Sequence, residues 1–104
     1  MSVVVKGSGA QEKTAKVTLL KDQAGSNATI SYTTQRAWPI MIIAAGGYGN
    51  MTLNTGTGWT QTHNDTSSSN RAAGWKKSNV ASGETVAIKC ADRYGIAFYG
   101  IETE

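Results

Sequence analysis

A chain of 104 residues holds one domain around one core, and its single Cys and single His exclude a disulfide framework and most zinc sites. Charged residues make up only 16%, against about 25% in ordinary globular chains. The net charge of +3 comes from scattered Lys and Arg with one adjacent pair, Lys76–Lys77, which reads as a mildly basic solvated surface and not as a nucleic-acid footprint.

Gly, Thr, Ser and Asn take the place of charge, a mixture that favours strands and turns. Val3 to Lys6 is a short β-branched opening, followed by residues 7–13 as an arm or loop. Lys16 to Lys21 reads as a strand and Gly25 to Asn27 as a turn. Ala28 to Thr34 alternates, with Ala28, Ile30 and Tyr32 on one face and Thr29, Ser31 and Thr33 on the other. Trp38 to Ala45 is apolar on both faces, which suits a strand buried between layers or set against a neighbouring subunit. Pro39 belongs near its start, where a missing amide costs least.

Gly46 to Gly49 breaks the chain before a short strand, Asn50 to Leu53, and Thr55 to Gly58 forms the next turn. Gly58 to His63 alternates again, and Asn64 to Asn70 is the most polar stretch, read as a mobile loop. Arg71 to Lys77 returns as a strand and Asn79 to Gly83 turns. In Glu84 to Cys90 the side chains of Val86, Ile88 and Cys90 share a face; Asp92–Arg93 is read as a turn, after which Tyr94 to Ile101 pairs back as a hairpin. The expectation is a single all-β domain over residues 1–104. It has about eight short antiparallel strands and no significant helix, arranged as a β-sandwich or jelly roll.

The opening residues contain no apolar core of about 7–15 residues such as a signal peptide carries. The longest apolar run falls well short of the ~20 residues of a membrane span. The expectation is a cytoplasmically synthesised protein without membrane insertion.

Catalysis finds little support. His63 lies two residues from Asp65, but no Gly-x-Ser-x-Gly elbow places a nucleophile beside it, and Ser67 to Ser69 reads as loop solvation. Cys90 sits on the apolar face of its strand, where a free thiol behaves as a small hydrophobe. Gly46 to Gly49 lacks the Lys and the helix of a phosphate loop. The chain is therefore read as non-enzymatic, with neither cofactor nor metal.

Binding is better supported. Three Trp and four Tyr accompany a single Phe, and Tyr and Trp combine a flat apolar face with a polar handle. Glycan recognition uses such faces against the sugar ring, with amides, carboxylates and Arg reaching its hydroxyls. The candidates are Tyr48 and Asn50 in one loop, His63, Asn64 and Asp65 in another, Arg71 beyond it, and Trp59 and Trp75. Trp38 reads as a core anchor. Trp59 and Trp75 each follow a Gly, so both exposure and core packing stay open for them.

The order of motifs is also familiar: Ala44 to Gly47 ending an apolar strand, Thr57 to Thr60 as a turn, Trp75 to Lys77 in a strand, and Gly83 to Val86 opening a hairpin. Over about two-thirds of the chain this resembles the small β-sandwich modules that phages and prophages encode in tail-fibre, baseplate and other virion-appendage proteins. The resemblance implies a virion-associated role in assembly or host-surface adhesion, through homo-oligomerisation or a cell-surface ligand. The competing class is a free-standing soluble lectin that binds carbohydrate through aromatic and amide loops. A third is a purely structural subunit.

Overall fold

The computed structural model describes residues 2–6, 12–65 and 70–103, with 2–6 and 12–13 as backbone only. Among the described residues seven strands follow one another: β1 (Ser2–Lys6), β2 (Glu12–Thr33), β3 (Trp38–Gly47), β4 (Met51–Thr55), β5 (Thr60–Asp65), β6 (Arg71–Val80) and β7 (Thr85–Thr103). Every pairing is antiparallel, and among the described residues there is no helix. Six strands form one path, β1-β2-β7-β3-β6-β5, and β4 joins off this path on β7.

Among the described residues there are thus seven strands and not about eight: β2 takes in the two stretches expected at 16–21 and 28–34, and β7 the two expected at 84–90 and 94–101. β2 and β7 pair along nearly their whole length, from Ala15 opposite Thr103 to Thr33 opposite Thr85. The other edge of β7 serves two neighbours, β4 along its first half and β3 along its second.

Gly25 to Asn27, expected as a turn, lies inside β2. The register slips between Ser26 and Ala28, and Asn27 adopts a φ of +49°. Asn tolerates this left-handed conformation, and opposite it β7 places two residues, Ala91 and Asp92, so the irregularity bends the strand pair without reversing it. Asp92–Arg93 likewise runs through β7 and makes no hairpin. Its backbone is occupied instead: the Arg93 carbonyl accepts from the Tyr48 amide at 3.0 Å and the Ala91 amide donates to the Asn50 carbonyl at 2.9 Å. Of the arm expected at 7–13, residues 12–13 belong to β2 and 7–11 lie outside the described residues; of the loop expected at 64–70, residues 64–65 close β5 and 66–69 lie outside them.

The bend in β2 is severe. Lys21 donates from Nζ to the carbonyl of Ser31 at 2.7 Å, although ten residues of straight strand would separate the two by about 33 Å. The sheet therefore folds over, and one core fills the fold. Val86, Ile88 and Cys90 from the first half of β7 join Tyr94, Ile96 and Phe98 from the second, all on one face of the strand. Ile30, Ile43, Ala45, Met51, Ala73 and Trp75 complete the cluster. The alternation read for Ala28 to Thr34 is present, with Ile30 buried and Thr29, Ser31 and Thr33 exposed.

A smaller cluster of Trp38, Met41 and Val80 closes one end. Trp38 is buried there, as a core anchor should be. Its ring lies so close to β7 that a Cβ on Gly100 would come within 2.5 Å of it. The Arg36 guanidinium sits 4.0 Å above that ring and pairs with Glu102 at 2.9 Å. β3 is central, between β7 and β6, but it is covered on one face only: Met41, Ile43 and Ala45 are buried, whereas Ile40 and Ala44 are exposed.

The turn between β6 and β7 is tied from two sides. Buried Thr34 donates from Oγ1 to the Ala81 carbonyl at 2.7 Å and accepts from the Glu84 amide at 3.0 Å. The Glu84 carboxylate accepts from Lys77 Nζ and from the Ala81 amide, and these two donors hold its pKa below the usual carboxylate range. A carboxyl whose folded pKa lies below its unfolded one stabilises the fold above the unfolded pKa and loses that contribution as pH falls through the folded pKa. Glu84→Gln is expected to flatten the acid limb of a melting-temperature profile measured between neutral pH and the carboxylate range. An unchanged acid limb would show that other carboxylates set it.

Candidate functional site

The end of the fold opposite Trp38 gathers loop 48–50, the facing ends of β5 and β6, and the middle of β7. Gly46 and Gly47 end β3 in register with Gly95 and Tyr94 of β7 and with Ala72 and Arg71 of β6. Arg71 is thereby carried beside loop 48–50, where its Nη1 donates to Asn50 Oδ1. Two backbone bonds to β7, from the Tyr48 amide and to the Asn50 carbonyl, hold that loop in place. The pairing of Asn64 with Ala73 and of Asp65 with Ala72 brings the last residues of β5 to the same rim.

Two depressions result. One, of about 80 Å³, is lined by Asn50, Thr52, Asn64, Asp65 and Arg71 together with Gly49 and Met51. This is room for a hydroxyl or another small polar group. The second, of about 240 Å³, is walled by Gly46, Gly47, Tyr48, Arg93 and Tyr94. The Arg93 guanidinium stands 5.1 Å from the centre of the Tyr48 ring, within cation–π range, and the Tyr48 side chain remains exposed.

The candidates read from the sequence divide accordingly. Tyr48, Asn50, Asn64, Asp65 and Arg71 converge on this rim from separate stretches of chain. Trp75 does not: it is 3% exposed and lies in the core, paired with Ile43 on β3, so it offers no face to a ligand. Trp59 is half-buried and packs against both core clusters. His63 is exposed on β5 opposite Gly74 and lines neither depression. Sequence reading missed Arg93, assigned there only to a turn, and Thr52, hidden in a short strand. The signal for Arg93 was its place beside Tyr94 at the level of the Gly46–Gly49 break, and that becomes visible only once β3 and β7 are paired.

Chemically the rim presents an amide pair, a carboxylate, two guanidinium groups, a hydroxyl and an aromatic face. Among the described residues no group of three or more His, Cys, Asp or Glu is placed to hold a metal ion. Cys90 is buried, and burial pushes its thiol pKa up, the behaviour of a packed side chain and not of an activated nucleophile. Among the described residues no helix is long and apolar enough to cross a membrane.

No family model, curated protein or solved structure compared with the chain matches it.

Proposed function

We propose that this protein is a non-enzymatic adhesion module, a β-sandwich of the virion-appendage type, which holds a hydroxyl-rich surface glycan at the rim of Tyr48, Asn50, Asn64, Asp65, Arg71 and Arg93. One observation carries the reading: residues of complementary hydrogen-bonding type, drawn from loop 48–50, β5, β6 and β7, meet at two adjoining depressions. In this reading the small pocket takes a sugar hydroxyl between the Asn50 amide and the Asp65 carboxylate. The ring then lies over the larger depression against Tyr48. The sandwich part of the reading is supported by the bend in β2, which folds the sheet over a shared core. The appendage part rests on the order of motifs from Ala44 to Val86.

A broad glycan array followed by calorimetric titration tests it. Removing a charged hydrogen-bonding partner is worth about 1.5–3 kcal/mol, so Arg71→Ala is expected to weaken binding by roughly ten- to a hundredfold. His63→Ala, outside both depressions, should bind as the native chain does. Silence across the whole array would overturn the glycan reading and leave a structural role ahead. A free-standing lectin would use the same rim; tail or baseplate genes beside its own would favour the appendage role over that alternative.

A further inference from the structure

We infer that the outward face of β2, β7, β3 and β6 is the interface of a two-fold dimer with a second copy of this chain. Neighbours across antiparallel strands share a face, so the register lays the outward side chains out in rows. Leu19, Tyr99 and Ile42 form one row, and Ile101 with Ile40 the next. In the other direction the rows shrink, first to Ala97 with Ala44 and then to Gly95 with Gly46. Leu19 is 52% exposed and Ile40 38%, although both are large and apolar. Over the small rows lies a shallow groove of about 520 Å³, bordered by Asp22, Ala24, Ala44, Gly95 and Ala97 among others.

The face thus stands tall at one end and is hollow at the other. A two-fold axis in its plane, crossing the strands between the Ile42 row and the Ala44 row, exchanges the two ends. Each copy then sets Tyr99 over Ala97 of the other, Ile42 over Ala44, and Ile40 over Gly46. This fit is a property of the chain against itself, which is why the occupant is a second copy and not an unrelated partner. Outward positions on β3 from Ile40 to Gly46 and on β7 from Gly95 to Ile101 carry no charge. Asp22 on β2 and Lys76 on β6 flank them, where charges stay wet at an interface rim.

The size of the face sets the expected strength. With about 3.3 Å per residue and about 4.8 Å between strands, it offers roughly 450 Å² per copy. A standard interface takes roughly 800 Å² per partner. The dimer is therefore expected to be concentration-dependent, dissociating in the micromolar range.

Sedimentation equilibrium of the full chain, over a dilution series from millimolar to micromolar, tests this. The mass is expected to move from two chains to one across the series. The paired change Ile40→Lys with Ile42→Lys should hold the mass at one chain throughout, with an unchanged circular-dichroism melt. Ala97→Phe should do the same by filling the hollow, which keeps the test open if the paired variant fails to fold. His63→Ala should follow the native chain. A native chain that remains single at the top of the series overturns the inference. So does a mass that climbs past two chains, or a dimer that survives both sets of changes.

Discussion

Phe98→Ala is expected to lower the free energy of unfolding by about 3–5 kcal/mol, a large part of the 5–15 kcal/mol that typically holds a domain together. Phe98 is fully buried near the middle of the second half of β7, in register with Ile43 of β3 on one side and Lys21 of β2 on the other. Its ring stacks on Tyr32 with centres 5.9 Å apart and planes at 30°. Tyr32 belongs to the far half of β2, beyond the bulge, where it pairs with Val86. The aromatic contact therefore bridges the two halves of the folded-over sheet. Truncation removes apolar surface and also leaves a void at the place where the halves meet. Neither neighbouring strand can close that void without giving up its own hydrogen bonds to β7. Urea unfolding should show a lower midpoint with an unchanged slope. Thr29→Ala, on the exposed face of β2, should stay within about 0.5 kcal/mol of the native chain. A loss below about 1 kcal/mol for Phe98→Ala would mean that the halves do not share one core.

What the sequence made legible follows from the reach of each signal. Period-two alternation is local, so the shared face of Val86, Ile88 and Cys90 and the two faces of Ala28 to Thr34 could be read directly. Which parity turns inward is not local. Trp75 sits opposite Ile43, and both point into the core, but nothing within Arg71 to Lys77 itself distinguishes that face from the outer one. Gly25 to Asn27 and Asp92–Arg93 carry the residues of turns and yet lie within strands, because a bulge and a tight turn draw on the same amino acids. The choice between them is made by β2 and β7 pairing with each other over residues far apart in the chain. The rim was partly legible for a related reason. Tyr48, Asn50, Asn64, Asp65 and Arg71 stand beside glycine breaks or in polar stretches, where side chains are free of core duty. Arg93 stands in the middle of a long strand, and its position at the rim is created by the approach of β3.

That approach depends on one residue without a side chain. Gly47→Ala is expected to be the most damaging single-methyl addition at the rim, affecting both stability and binding. A Cβ at this position would overlap the carbonyl oxygen of Arg93 and stand 3.1 Å from the Cα of Tyr94. These are backbone atoms, so no rotamer change relieves the clash, and β3 must move away from β7. Overpacking of this kind costs about 1–3 kcal/mol, and losing the bond from the Tyr48 amide to the Arg93 carbonyl adds about 1 kcal/mol. The same movement carries Tyr48 and Asn50 away from Arg71, so affinity for the proposed glycan ligand should fall together with the melting temperature. Gly95→Ala is the matched control: it lies two residues from Arg93 on the same strand, but a Cβ there meets nothing within 4 Å. It should melt within about 0.5 kcal/mol of the native chain. If Gly47→Ala melted with the native chain and kept its affinity, loop 48–50 would not owe its position to the contact between β3 and β7. The rim would then have to be assembled by β5 and β6 alone.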